Sequence, residues 1–290
     1  MTEVAFIGLG VMGYPMAGHL QASGRSTTVY NRTPLKAEQW CSQHHGERAS
    51  TPATAASGAQ IVFLCVGADD DVRSVVYGDD GVLTSMNARS VLVDHTTASA
   101  ELARELAEAC EAQGVGFIDA PISGGQAGAE NGALTVMCGG EPAAFEIAAP
   151  VIDAYSKACT LLGPAGSGQT TKMVNQICIA GLVQALSEGL EFARRAGLDL
   201  DLVLETISKG AAGSWQMTNR GQTMARDEFD FGFAVDWMRK DLDIVLREAE
   251  ANGAPLPVTS LVDQFYKQVQ ERGGSRWDTS SLITLLRPPI

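Results

Sequence analysis

The sequence has few basic residues. It contains 21 Lys and Arg against 34 Asp and Glu, so its 290 residues carry a formal net charge of −13. This deficit argues against non-specific binding to nucleic acid or to an anionic membrane. The sequence also lacks an apolar run of about 18 residues, so no membrane span is predicted. No basic segment precedes the first apolar run, which argues against a secretory signal and favours the cytoplasm.

Paired cysteines are also missing. The six cysteines lie scattered along the chain, and none forms a C-x-x-C pair: Cys41, Cys65, Cys110, Cys138, Cys159 and Cys178. Because Cys65 and Cys138 lie in apolar, strand-like runs, we interpret the cysteines as buried thiols of a reducing compartment. The adjacent His44 and His45 have no suitably spaced partner, so no metal site is predicted.

What the sequence does have is hydrophobic residues, 45% of the total, and a length typical of about two domains. In the first half, short apolar runs alternate with helical patterns. Strands are predicted over 4–8, 27–30, 61–66, 91–94, 117–120, 134–138 and 159–162. Helices are predicted over 13–23, from Pro34 onward and over 98–113. This alternation predicts an α/β, Rossmann-type domain with a parallel sheet.

After Gly163 and Pro164 the pattern becomes helical. Helices are predicted over 169–197, 200–209, 234–252 and 260–272. The sequence therefore predicts a dinucleotide-binding domain over residues 1–164 and an all-α domain over residues 165–290. Composition alone leaves open whether the second domain binds substrate or only packs in a dimer.

A G-x-G-x-x-G string, Gly8-Leu9-Gly10-Val11-Met12-Gly13, joins the first predicted strand to the first helix. In that setting Gly8 permits a tight turn and Gly10 lets the backbone approach a pyrophosphate. Gly13 permits close packing of helix on strand, and the helix N-terminus offers N–H donors to the anion. The string therefore predicts a dinucleotide site.

The end of the second strand indicates which dinucleotide is bound. NAD-binding domains usually carry Asp or Glu there to hold the ribose hydroxyls. Here the place is taken by Asn31-Arg32-Thr33. Arg32 can bind a 2′-phosphate with paired charge-assisted hydrogen bonds, and Asn31 and Thr33 can add neutral ones. NADP is therefore predicted in preference to NAD, with a solvated Arg32 as the alternative interpretation.

Two further segments carry polar groups suited to chemistry. The turn Ser123-Gly124-Gly125 follows a strand and offers backbone N–H groups and a hydroxyl, a plausible cradle for a substrate carboxylate. Lys172 and Asn175 are three residues apart, which puts both on one helix face. A partly desolvated lysine can exchange a proton near neutral pH. A tight loop and a solvated lysine are the alternatives.

The order of these motifs resembles the β-hydroxyacid dehydrogenase family, which includes 3-hydroxyisobutyrate dehydrogenase, tartronate semialdehyde reductase and glyoxylate/succinic semialdehyde reductase. The resemblance covers nearly the whole chain. Four segments carry it: 6–16, 119–125, 168–175, and Lys240-Asp241-Leu242. It implies an NAD(P)-dependent oxidoreductase that interconverts a small β-hydroxyacid and its aldehyde acid. It also implies that the helical domain mediates a homodimer or homotetramer.

The resemblance implies roles for individual residues. Lys172 matches the catalytic general acid/base, and Asn175 the residue that orients substrate and lysine. Ser123, Gly124 and Gly125 match the loop that binds the substrate carboxylate. The remaining matches are to cofactor contacts: Val66, Gly67, Thr96, Thr97 and Lys240.

One segment departs from the family, and one residue leaves the substrate of this protein open. Thr96 and Thr97 stand where serines are commoner in the family. We interpret the preceding residue, His95, as an ordinary loop histidine, with an extra titrating group as the alternative. Trp215 either shapes the substrate pocket or packs in the core.

Two other functions compete with the leading one. Imine reductases share the architecture but usually lack the lysine, so Lys172 counts against imine reduction. A non-catalytic NADP-binding or assembly protein would not need Lys172, Asn175 and Ser123 together.

Overall fold

The computed structural model describes residues 3–287. The chain divides into two compact units between Lys172 and Met173, a division that falls inside a long helix. Unit 1 ends at Lys172, and unit 2 begins at Met173. The boundary expected at 164/165, where the sequence pattern changes, stays a prediction.

Unit 1 alternates strands and helices. Its strands are β1 (Glu3–Ile7), β2 (Ser26–Tyr30), β3 (Glu47–Arg48), β4 (Ile61–Leu64), β5 (Val91–Asp94), β6 (Gly116–Asp119), β7 (Ile122–Ser123), β8 (Leu134–Gly140) and β9 (Ser156–Leu161). Its helices are α1 (Gly13–Ala22), α2 (Pro34–His44), α3 (Pro52–Ala56), α4 (Asp69–Val76), α5 (Ala100–Glu111), α6 (Gly125–Glu130), α7 (Pro142–Ile152) and the start of α8 (Ser167–Arg195).

The strands of unit 1 form one sheet in the order β3-β2-β1-β4-β5-β6-β8-β7, with β9 paired to β8. The strands from β3 to β6 in this order are parallel. Parallel strands place their carboxyl ends at one edge, so the loops after β1, β4, β5 and β6 lie along the same edge of the sheet. The α/β, Rossmann-type class is confirmed for this unit.

The sequence analysis missed one reversal in this sheet. β8 runs antiparallel to both β6 and β7. Between β6 and β8 the chain holds β7 and the six-residue helix α6. Parallel neighbours need a crossover connection, usually a longer helix. The two residues of β7 are too few to give a periodic pattern.

Both faces of the sheet are covered. Along β1, Val4 and Phe6 point to one hydrophobic core, while Ala5 and Ile7 point to a second core on the opposite face. Continuous apolar runs are typical of strands that are buried on both faces. Trp40, in α2, is fully buried in the first core, which fixes that helix against the sheet.

Unit 2 is helical. It contains most of α8 together with α9 (Leu200–Ile207), α10 (Trp215–Ala225), α11 (Val235–Asn252) and α12 (Pro257–Glu271). A 3₁₀ segment, Thr279–Leu286, follows α12. From residue 173 to residue 287 no strand forms, as predicted, apart from a single bridge between Ala234 and Asp278. The helix α10 was not predicted from the sequence.

Two apolar clusters hold unit 2 together. In one, Val183 of α8 packs with Met238 of α11 and Tyr266 of α12. In the other, Leu190 of α8 packs with Leu204 of α9. Among residues 3–287, no helix combines the length and apolarity that crossing a bilayer requires.

The burial of the cysteines differs from the expectation. Cys110 and Cys138 are buried free thiols, as interpreted from the sequence. Cys178 is an exposed thiol on α8, since it faces away from the clusters of unit 2. Cys65 follows β4, instead of lying within it, and is half-buried.

Candidate active site

The glycine loop after β1 has the geometry that its sequence predicts. Gly8 has φ +101°, a conformation that favours glycine, and a Cβ there would overlap the carbonyl oxygen of Cys65. A Cβ on Gly13 would overlap the Gly8 carbonyl oxygen, whereas a Cβ on Gly10 would meet nothing within 4 Å. The loop is therefore packed at both ends and open in the middle. This shape fits a dinucleotide pyrophosphate at the start of α1.

The side chains of the loop divide between core and solvent. Leu9 is buried, Met12 is half-buried against the first core, and Val11 is exposed. The backbone N–H of Leu9 donates to Asn31 Oδ1 at 2.9 Å, and Asn31 Nδ2 donates to the Thr33 carbonyl oxygen at 3.1 Å. Asn31 therefore braces the glycine loop against the end of β2.

The side chain of Arg32 is 87% exposed and already has a partner. Its Nη1 lies 3.1 Å from Asp71 Oδ1, in the first turn of α4. Sequence reasoning missed Asp71, which is 39 residues away along the chain. An exposed ion pair of this kind contributes only about 0–1 kcal/mol. Apart from this contact Arg32 is solvated, so its two interpretations, as a 2′-phosphate ligand and as a solvated loop residue, both stay predictions.

The loops after β4 and β5 are tied to each other. The Val66 N–H donates to Thr96 Oγ1 at 3.1 Å, and the Thr96 N–H donates to Asp94 Oδ1 at 2.9 Å. Gly67 and Thr97 lie in the same two loops and are half-buried. The predicted cofactor contacts of unit 1 are thus brought to one edge of the sheet.

Two buried carboxyl groups end neighbouring strands. Asp94 of β5 and Asp119 of β6 are partners in the parallel register. Burial raises the pKa of Asp94 to about 7. Burial also raises the pKa of Asp119 to about 6, although hydrogen bonds from backbone N–H groups oppose that shift. The sequence analysis assigned neither residue a role, because a pairing across strands leaves no local signal.

His95 is not an ordinary loop histidine, so that interpretation was wrong. It is only 1% exposed, and its ring stacks on Phe63 with centroids 5.7 Å apart. Nδ1 lies 2.6 Å from the Ala120 carbonyl oxygen and Nε2 lies 2.8 Å from the Tyr155 hydroxyl. Because a carbonyl oxygen only accepts, Nδ1 carries the proton and Nε2 accepts from Tyr155. Burial lowers the pKa of His95 to about 4, so the ring is neutral at physiological pH.

Lys172 lies beside the turn that was predicted to bind a carboxylate. Its side chain is buried, and Nζ donates to the Ile122 carbonyl oxygen at 2.8 Å. Ile122 directly precedes Ser123, Gly124 and Gly125, which are half-buried. The two glycines have φ +136° and +62°, so both use left-handed conformations to turn the chain. The lysine and the turn are 50 residues apart in sequence, and the fold brings them together.

Asp119 holds the start of α8 in place. Its carboxylate accepts from the backbone N–H groups of Gly166 and Gln169, each at 2.8 Å. A carboxylate at a helix N-terminus satisfies backbone donors that have no partner within the helix. Asp119 thus sets the position of the helical turn that carries Lys172.

Two predicted site residues, Asn175 and Lys240, lie in unit 2 and are connected by hydrogen bonds and an ion pair. Asn175, one turn after Lys172 on α8, donates through Nδ2 to Gln176 Oε1 at 2.7 Å. Gln176 donates through Nε2 to Asp241 Oδ2 at 2.7 Å, and Lys240 Nζ lies 3.1 Å from Asp241 Oδ1. A chain of polar contacts therefore runs from Asn175 to Lys240. The sequence analysis gave neither Gln176 nor Asp241 a role, although Asp241 lies in one of the motifs that it named.

Trp215 does not pack in the core. It begins α10 and is 47% exposed, with the Arg220 guanidinium carbon 5.0 Å from its ring centroid. Arg220 lies 5.1 Å from the Phe231 ring as well, and it pairs with the buried Asp278. The tryptophan is therefore held at the surface of unit 2 by a cation–π contact.

This loop geometry, on a mostly parallel sheet followed by a helical unit, is typical of nicotinamide-dinucleotide-dependent oxidoreductases. Two family models match the chain. Residues 3–163 match the NAD-binding domain of 6-phosphogluconate dehydrogenase. Residues 166–286 match the NAD-binding domain of NADP-dependent 3-hydroxyisobutyrate dehydrogenase.

Relatives and solved structures agree with these matches. The chain is 63% identical to an uncharacterized oxidoreductase from Shewanella frigidimarina, over 99% of this chain and 98% of that protein. It is 33% identical to 2-hydroxy-3-oxopropionate reductase of Escherichia coli, over 98% of this chain and 97% of that protein. The structure of Mycobacterium tuberculosis 3-hydroxyisobutyrate dehydrogenase superposes with a TM-score of 0.89 at 28% identity, covering 99% and 100% of the two chains.

The chain therefore belongs to the β-hydroxyacid dehydrogenase family. It is an NAD(P)-dependent oxidoreductase that acts on CH–OH groups. The family resemblance stated from the sequence is confirmed.

Proposed function

We propose that the protein reversibly interconverts a small β-hydroxyacid and its aldehyde acid, with NADP(H) as the cofactor. The observation that carries this proposal is the buried Lys172 amine, 2.8 Å from the Ile122 carbonyl oxygen and next to the turn of Ser123, Gly124 and Gly125. A proton donor and a donor-rich turn then face the same small substrate. Relatives named 2-hydroxy-3-oxopropionate reductase and 3-hydroxyisobutyrate dehydrogenase support this substrate class.

In this proposal Lys172 moves the proton. It donates to the carbonyl oxygen of the aldehyde acid during reduction and accepts from the hydroxyl during oxidation. Asn175, one helical turn further along α8, orients the substrate and the lysine. Ser123, Gly124 and Gly125 bind the substrate carboxylate through the serine hydroxyl and backbone N–H groups.

The cofactor supplies hydride transfer when it is bound. In unit 1 the residues proposed to hold it are Gly8, Leu9, Gly10, Val11, Met12, Gly13, Asn31, Arg32, Thr33, Val66, Gly67, Thr96 and Thr97. Lys240 is the proposed contact from unit 2. Arg32 would bind the 2′-phosphate of NADP, exchanging its contact with Asp71 for a phosphate, which makes NAD the less favoured cofactor.

An assay of NADPH consumption tests the proposed reaction. The substrates are glyoxylate, succinic semialdehyde, tartronate semialdehyde and methylmalonate semialdehyde, with cyclic imines and a no-substrate reaction as controls. We expect reduction of at least one aldehyde acid and of no imine. Turnover of the imines alone would support imine reduction instead, and no turnover at all would support a non-catalytic protein.

The carboxylate turn has its own test. An aldehyde acid is compared with an uncharged analogue that carries an amide in place of the carboxylate. Loss of one charge-assisted hydrogen bond costs about 1.5–3 kcal/mol. This corresponds to a kcat/KM about 10–150-fold lower for the analogue. Equal kcat/KM values for the pair would assign the turn another role.

We further infer a cytoplasmic homodimer or homotetramer. Unbridged cysteine thiols such as Cys110 and Cys138 support a reducing compartment. Phe192 and Leu202 of unit 2 are 74% and 62% exposed, which supports burial of this surface by another copy. Light scattering of the purified protein would measure the mass, and a monomer at micromolar concentration would contradict the inference.

A further inference from the structure

Gln169 contacts two loops with one side chain. It lies in the first turn of α8 and is only 1% exposed. Its Nε2 donates to the Thr96 carbonyl oxygen at 2.7 Å, and its Oε1 accepts from the Ala98 N–H at 3.1 Å. Its own backbone N–H donates to Asp119 Oδ2 at 2.8 Å. Both ends of the side-chain amide are therefore used, and the base of the residue is anchored.

The loop that Gln169 holds contains Thr97. Residues 96–98 lie between β5 and α5, where no strand pairing fixes the backbone. The two hydrogen bonds to Gln169 flank Thr97 on either side. The loop position is thus set by α8 and not by the sheet alone.

The same helical turn carries Lys172. Gln169 and Lys172 are three residues apart on α8, so their side chains lie on one face of the helix. From that face Gln169 reaches the loop of residues 96–98, and Lys172 reaches the Ile122 carbonyl oxygen. The first two turns of α8 therefore join the loop after β5 to strand β7.

We propose that Gln169 is a positioning residue, which fixes the loop of Thr97 at a set distance from the Lys172 amine. The inference rests on the proposed function, in which Thr97 faces the cofactor and Lys172 the substrate oxygen. Hydride and proton transfer need cofactor, substrate and lysine at defined distances from one another. A displacement of about 1 Å can lower the rate about 100-fold. Gln169 touches no reacting atom in this scheme.

Two substitutions separate positioning from simple packing. Gln169→Leu keeps most of the volume and removes both hydrogen bonds. Gln169→Glu is close to isosteric, but its ionised carboxylate has no donor for the Thr96 carbonyl oxygen. When protonated, the same group offers one O–H donor and one carbonyl acceptor, which is the pattern of the glutamine amide. A change of pH therefore switches the glutamate variant between a form without the required donor and a form with the donor and acceptor of glutamine.

The measurement is the single-turnover rate of NADPH oxidation, with cofactor Kd from fluorescence titration and Tm on the same samples. We expect Gln169→Leu to lower the rate about 10–100-fold while the cofactor Kd changes less than about threefold. We expect the rate of Gln169→Glu, relative to wild type, to rise at least about tenfold from pH 8 to pH 5.5.

A matched control is Gln184→Leu. Gln184 is another nearly buried glutamine of α8, whose Nε2 donates to Glu188, and it lies outside the proposed site. The single-turnover rate of the Gln184→Leu variant should stay within about threefold of wild type. An inactive wild type would mean that the proposed function is wrong.

An active wild type whose folded Gln169→Leu variant keeps its rate would mean that the positioning role is wrong. If the leucine variant does not fold, the glutamate variant decides. A rate ratio to wild type that is the same at both pH values would overturn the proposal.

Discussion

Two parts of unit 1 carry charged groups in opposite ways. In the buried cluster of Asp94, Asp119, Gln169 and Lys172, every residue is at most 8% exposed. Each makes at least one hydrogen bond of 3.1 Å or less. The exposed pair of Arg32 and Asp71 has side chains that are 87% and 38% exposed, joined by one contact at 3.1 Å.

This difference reflects what each part has to do. A buried polar group left without its partner costs about 1–3 kcal/mol, so the buried cluster keeps one geometry. An exposed ion pair contributes about 0–1 kcal/mol, so Arg32 can leave Asp71 at little cost. Precise positioning of a proton donor needs the first arrangement. Exchange of a carboxylate for a phosphate, as proposed for NADP, needs the second.

The largest effect is expected at Lys172. Lys172→Ala removes the proposed proton donor, so kcat should fall by about 10²–10⁴-fold. The cofactor Kd should change little, because the lysine acts on the substrate oxygen. Steady-state rates and a cofactor titration measure both quantities. Lys209→Ala is the control, since Lys209 is an exposed lysine paired with Glu205. A variant that retains a third of wild-type turnover, with chemistry rate-limiting, would remove Lys172 from the mechanism.

A second prediction concerns the pH dependence of stability. Burial raises the pKa of Asp94 from its ordinary value of 3.8 to about 7. Between these values the folded state binds more protons than the unfolded state, so the free energy of unfolding falls as pH rises from 3.8 to about 7. One such proton changes that free energy by at most about 1.4 kcal/mol per pH unit.

Asp94→Asn removes this titration while keeping an oxygen that accepts from the Thr96 N–H. Its Tm should therefore depend less steeply on pH between about 4 and 7 than that of wild type. The remaining slope combines two opposed groups: the pKa of Asp119 is raised to about 6, which lowers stability as pH rises, and the pKa of His95 is lowered to about 4, which increases it. Asp79→Asn, at an exposed turn, is the control. Identical pH slopes for wild type and Asp94→Asn would contradict the prediction.

The third prediction concerns Arg32. Charge-assisted hydrogen bonds to a 2′-phosphate contribute about 1.5–3 kcal/mol. Wild type should therefore prefer NADPH to NADH by about 10–150-fold in kcat/KM. Arg32→Ala should lose that preference through NADPH alone. Added salt should weaken NADPH binding more than NADH binding, since only the former uses an exposed charge contact.

The matched control for Arg32 is Arg48→Ala. Arg48 is also an arginine of unit 1 that pairs with a carboxylate, Glu38, and its side chain is 50% exposed. The control should keep the preference for NADPH. A wild type that prefers NADH, or an Arg32→Ala variant that weakens both cofactors equally, would show that Arg32 does not bind the phosphate.

Sequence patterns predicted the parts of the molecule that are encoded locally. The alternation of apolar runs gave the Rossmann-type unit, and the spacing of Gly8, Gly10 and Gly13 gave the loop whose shape is observed. The i,i+3 spacing of Lys172 and Asn175 correctly placed them one turn apart on one helix.

The parts that were missed depend on contacts between distant segments. Asp71 meets Arg32 across 39 residues, and Gln169 reaches Thr96 across 73. The register of β5 and β6, which places Asp94 beside Asp119, exists only in the folded sheet. His95 reads as a loop residue because it follows a strand, yet the fold encloses it between Phe63, Ala120 and Tyr155. No local pattern contains this information.

The smallest effect is expected at Asp71. The sign of the change in NADPH affinity tests most directly whether the exposed pair differs in role from the buried cluster. If Asp71 competes with the 2′-phosphate for Arg32, Asp71→Asn should tighten NADPH binding. The exposed pair is worth about 0–1 kcal/mol, so the Kd should fall by at most about fivefold. NADH binding should not change, and the gain should shrink at high salt. Fluorescence titration at low and high salt measures the Kd of both cofactors.

Asp70→Asn is the control, because Asp70 is a neighbouring carboxylate of α4 that pairs with Arg73 instead. Weaker NADPH binding by Asp71→Asn alone would mean that Asp71 orients Arg32 for the phosphate, and the exposed pair would then be a positioning contact like those of the buried cluster.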